Sequence, residues 1–180
     1  FITKEDEETA SYFHSCNRGK ASVTVDLRNP VDQNRLRELI KDADILIENF
    51  KVGGLAKYGF DYDSLKLMNP RLVYCSITGF GQTGPYAHRA GYDYIIQGMS
   101  GFMSITGDPD GMPQRAGVAI TDIFTGVYAT TAILAALRMR DTIGQGQHID
   151  MSLFDSAVSV MANQALNYLS TGTPPVRTGN

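Results

Sequence analysis

Short apolar runs of strand length alternate with helical patterns along most of this 180-residue chain. Residues 22–27 alternate apolar and polar side chains, and residues 44–48, 72–78 and 147–152 also read as strands. Parallel neighbours need helical crossover connections, whereas tight hairpins would join antiparallel strands. The sequence therefore predicts an α/β fold, with a mainly parallel sheet and helices on its faces.

Capping and turn residues predict where the helices begin and end. Asn29 followed by Pro30 predicts a helix start, and this helix is expected to run to about Asp42. Residues 79–91 are rich in glycine and proline and are predicted to form a loop. Further helices are predicted over residues 55–58, 62–68 and 92–103, around Asp122 to about residue 140, and over residues 153–170.

A single acidic residue, Asp122, interrupts the otherwise apolar run of residues 117–137. Burying a carboxylate is unfavourable unless donors or charges compensate it, so this residue needs a reason to be there. Capping is one reason, since free N–H groups and the macrodipole stabilise a carboxylate in the first turn of a helix. The same environment would keep the carboxylate ionised and partly dehydrated, which suits an oxygen nucleophile. Helix position leaves both hypotheses open.

Composition and charge argue against several classes of function. The net charge of −3 is spread along the chain without a basic run, so we expect neither nucleic-acid binding nor a membrane anchor. Cys16 and Cys75 lack metal-ligand spacing, so no metal site is expected. No uninterrupted apolar stretch reaches the length of a membrane span, and the first residues lack a signal-peptide pattern. These features predict a cytoplasmic location and small-molecule chemistry or protein association.

Residues 79–84 match the G-x-G-x-x-G dinucleotide-binding pattern and follow a predicted strand. That pattern works by directing a helix N-terminus at a pyrophosphate, but here Pro85 and further loop residues follow it. A second strand that ends in an acidic residue about 20 positions later is also missing. We therefore interpret these glycines as shaping a loop over a different ligand.

Six sequence blocks follow one another along the chain, at residues 17–27, 47–50, 74–85, 89–93, 99–107 and 117–122. Together they closely resemble the class III coenzyme A transferases. This family includes formyl-CoA, carnitine-CoA and succinyl-CoA dicarboxylate CoA-transferases, and the alpha-methylacyl-CoA racemases share its fold and most of these blocks. The resemblance implies a Rossmann-like large domain.

The resemblance implies that Asp122 is the nucleophile of the transfer reaction. Its carboxylate would attack an acyl-CoA donor to form a mixed anhydride, and returning CoA would convert this into an aspartyl-CoA thioester. An acceptor carboxylic acid would then take over the CoA. An oxygen nucleophile divides acyl exchange into reversible steps without an activated water or a metal. Water must be kept out, because hydrolysis would discharge the anhydride.

The resemblance also implies a set of residues that bind coenzyme A. Lys57 stands where transferases often have an arginine near the CoA phosphates, so its charge is kept but the bidentate fork is lost. Arg28 and Lys57 could instead be solvated surface charges, Asn49 a turn residue and Phe50 part of the core. The implied CoA-binding residues are Val25, Leu27, Arg28, Asn49, Phe50, Lys51, Lys57, Ala90 and Tyr92.

Tyr92 distinguishes between the two activities that this resemblance covers. Racemases have a histidine at this position and use it with the aspartate as a pair of acid/base groups. A tyrosine, with an ordinary pKa near 10, is a poor base, so the residue favours transfer over racemisation. Tyr92 could also be a core aromatic residue with a satisfied hydroxyl group. His14, His88 and His148 are scattered, and no role is assigned to them.

The resemblance further implies that residues 1–180 are the central part of the large domain of a longer chain. Family members are about twice as long, with an additional first strand and helix, a glycine-rich active-site loop and a small second domain. They form interlocked homodimers, so surfaces meant for burial should be exposed in this chain. Two alternatives stay open, a racemase or epimerase and an inactive CoA-binding or dimerisation fragment.

Overall fold

The computed structural model describes residues 2–3 and 6–179, which fall into two compact units, Phe1–Leu36 and Arg37–Asn180. In the first unit, strand β1 (Ile2–Thr3) pairs antiparallel with β2 (Asp6–Ala10), and helix α1 (Ser11–Asn17) follows. Helix α2 (Pro30–Lys41) begins where the sequence predicts. The Asn29 side chain caps it by accepting a hydrogen bond from the Val31 N–H group at 2.9 Å.

The predicted strand over residues 22–27 is wrong. Among the described residues, these positions form no strand pairing, and residues 27 and 28 make a turn. The segment ends in local hydrogen bonds instead, because the Asp32 carboxylate accepts from the Asp26 N–H group at 3.0 Å and Asp26 pairs with Arg28. Alternation specifies only which side chains could share a face. A strand also needs a neighbour for its backbone groups.

The second unit contains the parallel sheet that the sequence predicts. Strands β3 (Ile45–Glu48), β4 (Val73–Thr78) and β5 (His148–Ser152) lie in the order β3-β4-β5, and both pairs are parallel. Helices α3 (Tyr62–Met68), α4 (Asp93–Met99) and α5 (Ile120–Ile143) make the connections, with short 3-10 turns at Ala56–Tyr58 and Met103–Ile105. The α/β fold class is therefore confirmed.

Helix α5 packs on the central strand through two alanines and one isoleucine and leaves much of its apolar surface exposed. Val73 and Cys75 of β4 form a buried cluster with Ala129, Ile133 and Ala136 of α5. By length and composition alone, α5 is also apolar enough to cross a membrane. The large α5 side chains that remain exposed are Ile123, Phe124, Val127, Tyr128, Leu134, Met139 and Ile143.

Two of the predicted helices, over residues 153–170 and 92–103, are shorter in the structure. The helix predicted over residues 153–170 is two helices, α6 (Leu153–Val160) and α7 (Ala162–Thr171), because Ala162 has a left-handed φ of 44°. Met161 is buried at this break, near Gly101. Helix α4 ends at Met99 rather than near residue 103, since Gly101 takes a φ of 89°. The break between α6 and α7 could not be predicted, because the sequence Met161-Ala162-Asn163 contains no glycine or proline.

Candidate active site

A cavity of about 740 Å³ opens at the carboxyl edge of the parallel sheet, in the second unit. Strand β3 ends at Glu48 and β4 at Thr78, and parallel strands bring such ends to one edge. The segments that follow them, together with the loop before α4 and the first turns of α5, form the walls. The cavity is lined by residues 47–52, 77–79, 87–92, 122, 125, 126 and 153.

Asp122 is the third residue of α5 and lies on the cavity wall. Partial burial, and then the nearby Asp93 carboxylate, raise the pKa of Asp122 above its usual value. Two expectations from the sequence need correction. The side chain is exposed rather than enclosed by the apolar helix, because α5 turns Thr121 and Thr125 inward instead. The net influence of its surroundings also works against ionisation, although the helix start favours a carboxylate.

A buried hydrogen-bond network holds the α5 turn that carries Asp122. One carboxylate oxygen of Asp93 accepts from the Thr121 N–H group at 2.8 Å and from the Thr121 hydroxyl at 2.6 Å. The other oxygen accepts from the Gln97 side-chain amide at 2.6 Å, and the Gln97 Oε1 atom accepts from the Ala116 N–H group at 2.9 Å. Gln97 and Thr121 are fully buried. Because Asp93 and Gln97 belong to α4, these bonds connect α4 to the start of α5.

The glycine-rich loop is closed by a backbone contact between its two ends. A Cβ atom added to Gly79 would lie 2.6 Å from the Cα atom of Gly91, so neither position has room for a side chain. The Asp150 carboxylate accepts from the Gln82 N–H group at 2.9 Å and fixes the middle of the loop. No helix follows residues 79–84 until α4 begins at Asp93. The loop therefore presents residues 87–92 to the cavity.

Both signs of charge line the cavity. Lys51 and Arg89 contribute cations, and the Arg89 guanidinium lies 4.7 Å from the centre of the Tyr86 ring. Glu48 contributes a carboxylate, which accepts from the Phe50 N–H group at 2.8 Å and shapes the turn after β3. Cations of this kind can bind the phosphate or carboxylate groups of a ligand.

Comparison with known proteins identifies the family. Residues 2–180 match the sequence model of CoA-transferase family III. The chain belongs to this family. It is 59% identical over 182 residues to the succinate–glutarate CoA-transferase of Agrobacterium fabrum, covering 100% of this chain and 46% of that protein. It is 45% identical over 160 residues to the succinyl-CoA:glutarate CoA-transferase of Mus musculus, covering 89% of this chain and 37% of that protein.

A solved structure of similar sequence has the same fold. A CAIB/BAIF family protein from Brucella suis superposes with a TM-score of 0.94 at 58% identity, covering 100% of this chain and 47% of that chain. The chain thus spans about half the length of the family III relatives that it matches.

Six of the ten residues singled out in the sequence line the cavity: Asn49, Phe50, Lys51, Ala90, Tyr92 and Asp122. Phe50 and Tyr92 are 49% and 81% exposed, so neither is a core aromatic residue. The interpretation of both as core residues is therefore wrong. Their assignment to CoA binding in this family III chain stays a prediction.

The other four residues do not line the cavity. Lys57 lies over the ring of Tyr58, 4.7 Å from its centre, and is absent from the cavity wall. Val25, Leu27 and Arg28 belong to the first unit, whereas every residue of the wall belongs to the second. Arg28 forms an exposed ion pair with Asp26 at 3.0 Å.

Sequence reasoning missed several residues of the wall. His88 and Arg89 both line the cavity, although His88 was assigned no role. Their position directly before Ala90, within the loop that carries the family resemblance, is the signal that could have found them. His148 packs within the fold outside the cavity wall: its Nε2 atom lies 3.0 Å from the Ser76 hydroxyl, and its ring stacks on Tyr62.

Proposed function

We propose that the whole protein transfers coenzyme A from an acyl-CoA thioester to an acceptor carboxylic acid, with Asp122 as the nucleophile. The observation that carries this proposal is the position of Asp122. It shares one cavity wall with residues 49–51 and 90–92, the segments that the family resemblance implies for CoA binding. The names of the family III relatives support CoA transfer in general.

The first half of the reaction forms an acyl bond to Asp122. Its carboxylate oxygen attacks the thioester carbonyl carbon, the carbon–sulfur bond breaks, and CoA leaves as a thiolate. The product is a mixed anhydride. The thiolate then attacks the Asp122 carbonyl carbon, which releases the donor acid and leaves an aspartyl-CoA thioester. Each step exchanges one acyl bond for another, so no net proton or electron is required.

The second half of the reaction repeats these steps in reverse order. The acceptor carboxylate attacks the aspartyl-CoA carbonyl carbon, the thiolate leaves, and a second anhydride forms. Attack of the thiolate on the acceptor's acyl carbon yields the new acyl-CoA and frees the Asp122 carboxylate. Since Asp122 is exposed in this chain, we propose that bound substrate and segments beyond it shield the anhydride from water.

The test is trapping of the acylated residue in the whole protein. Hydroxylamine added during turnover should attack the carbonyl carbon of the aspartyl-CoA thioester, release CoA and leave a hydroxamate on Asp122 that peptide mass spectrometry locates. Asp122→Ala should abolish both the adduct and CoA exchange. Asp141→Asn is the matched control, because it removes a carboxylate from the far end of the same helix. CoA exchange that persists in Asp122→Ala, or α-proton exchange in D₂O without CoA transfer, would contradict the proposal.

We propose dicarboxylic acids as the substrate class, on the basis of the relatives named for succinate and glutarate. The positive charges of Lys51 and Arg89 in the cavity support this proposal, since one of them could pair with the carboxylate that does not react. Arg89→Met should lower kcat/KM for glutarate by about 10–100-fold, the cost of a lost charge-assisted contact. Butyrate, which lacks the second carboxylate, should lose much less. Equal losses for both acids would assign Arg89 to the CoA phosphates instead.

We also propose that the whole protein is a homodimer, as the resemblance implies. The large apolar side chains exposed on α5 support burial by a further surface. Helix α7 likewise buries none of its residues, and its Leu166 and Leu169 are 63% and 77% exposed. Sedimentation analysis should give twice the mass of one chain, and a monomer at micromolar concentration would refute this part of the proposal.

A further inference from the structure

We infer that Asp93 and Gln97 are positioning residues, which fix the position and direction of the first turn of α5, where Asp122 lies. This inference rests on the proposed function, because it concerns how the nucleophile is held. Neither residue was singled out in the sequence, and neither lines the cavity. Both act through the backbone that precedes Asp122.

The first step of the argument is that α5 begins without a cap of its own. Its N-cap residue, Ala119, has no side-chain oxygen to accept from the free N–H groups of the first turn. The Asp93 carboxylate, which belongs to α4, accepts from the Thr121 N–H group instead, at 2.8 Å. The start of α5 is therefore fixed by a different helix, 28 residues earlier in the chain.

The second step is that Gln97, Thr121 and Thr125 of the network are buried, while Asp93 is partly buried. Gln97 donates to one oxygen of Asp93 and accepts from the Ala116 N–H group, so it spans from α4 to the segment that leads into α5. Thr121 adds its hydroxyl to the other oxygen, and Thr125 donates to the Thr121 carbonyl at 2.6 Å. Because Gln97, Thr121 and Thr125 are buried, a lost partner leaves a buried donor unsatisfied unless the turn moves.

The third step is the charge of Asp93. The Asp93 carboxylate helps to raise the pKa of Asp122. The ionisable groups that line the cavity with Asp122 are Glu48, at the end of β3, and Lys51 after it, and His88, Arg89 and Tyr92 on the loop. Asp93 thus has two effects that can be separated, one on position and one on charge.

The main experiment compares Asp93→Asn with the double variant Asp93→Asn/Gln97→Glu in the whole protein. An asparagine at 93 turns an N–H donor toward the Gln97 amide, so two donors face each other and the network breaks. A glutamate at 97 can accept from that amide and from the Ala116 N–H group, which restores every bond. We expect kcat to fall by about 10–100-fold in Asp93→Asn, the range for a nucleophile displaced by up to 1 Å, with KM for acyl-CoA changed less than about threefold. The double variant should recover most of this loss.

A pH profile separates the effect of the Asp93 charge on Asp122 from a purely structural loss of activity. Asp122 must be ionised to attack, so kcat/KM falls as the pH drops through its pKa. The acid limb should move to lower pH in Asp93→Asn and part of the way in the double variant, where the charge is retained at residue 97. A purely structural defect would lower the whole profile without moving this limb.

A second pair of variants keeps the test valid if Asp93→Asn does not fold. Thr121→Ser retains the hydroxyl and should keep a near-normal kcat. Thr121→Val removes the hydroxyl, and its kcat should fall. Thr130→Val is the matched control, because it removes a hydroxyl of the same helix that donates only to the Gly126 carbonyl, at 2.8 Å on an exposed face of α5.

The outcomes separate this inference from the proposed function. Losses in Asp93→Asn and Thr121→Val no larger than in Thr130→Val would overturn the inference, as would a double variant that recovers nothing. CoA exchange that survives Asp122→Ala overturns the proposed function instead. Loss of exchange in Asp122→Ala, with recovery in the double variant, supports both.

Discussion

Replacing Gly79 by alanine should separate the two ends of the loop that presents residues 87–92 to the cavity. The added Cβ atom would lie 2.6 Å from the Cα and N atoms of Gly91, both of them backbone atoms that no rotamer change can move. Ordinary van der Waals contact begins near 3.4 Å, so the two segments must part by about 0.8 Å. The Gly79 carbonyl accepts from the Phe154 N–H group at 3.0 Å, so the movement falls mainly on the Gly91 side.

The size of the effect follows from that displacement. Overpacking of this kind costs about 1–3 kcal/mol, which corresponds to a fall of roughly 2–12 °C in Tm for a domain of this size. Tyr92 directly follows Gly91, so the wall beside Asp122 would shift by nearly 1 Å. A shift of that size is expected to reduce kcat by about 10–100-fold. Differential scanning calorimetry and a CoA-exchange assay on the whole protein measure the two effects.

Gly117→Ala is the matched control for this prediction. Apart from its two chain neighbours, no described residue has an atom within 4 Å of the position that its Cβ would occupy, and its φ is outside the left-handed range. It should change Tm by less than about 2 °C, as expected for an unstrained glycine-to-alanine change. If Gly79→Ala matches Gly117→Ala in both Tm and kcat, the close backbone approach does not organise this loop.

Three further predictions follow from burial and charge. Because burial raises the pKa of the Cys75 thiol to about 11, iodoacetamide at pH 8 should modify the exposed Cys16 at least about tenfold faster, as measured by peptide mass spectrometry. Tyr74→Phe removes the hydroxyl that donates to the Phe60 carbonyl at 2.9 Å, and should lower the free energy of unfolding by about 1–2 kcal/mol in urea titrations. The raised pKa of Asp122 should make kcat/KM fall at a higher pH than for an ordinary carboxylate, and an acid limb unchanged from the usual range would contradict this.

Local sequence was sufficient wherever the deciding interaction lies within a few residues. The cap at Asn29 and the apolar runs of β3 and β4 each depend on their own side chains or their nearest neighbours, and the structure has them close to where they were predicted. The parallel direction of the strands also agrees with the sequence, because each strand is joined to the next by a segment much longer than a hairpin needs.

The arrangement of the site depends on contacts that are distant in the sequence. Residues 22–27 have the pattern of a strand but find no neighbour in the described part of the chain, and Lys57 lies over Tyr58 rather than in the cavity. The face that α5 buries carries Thr121, Ala129 and Ile133, whereas most of the larger apolar residues of the helix stay exposed and Asp122 is exposed to the cavity. Sequence alone therefore identified the candidate nucleophile and the family. Only packing between α4, α5 and the sheet decided which way the nucleophile faces and what holds it, because those forces act between residues that the chain separates by tens of positions.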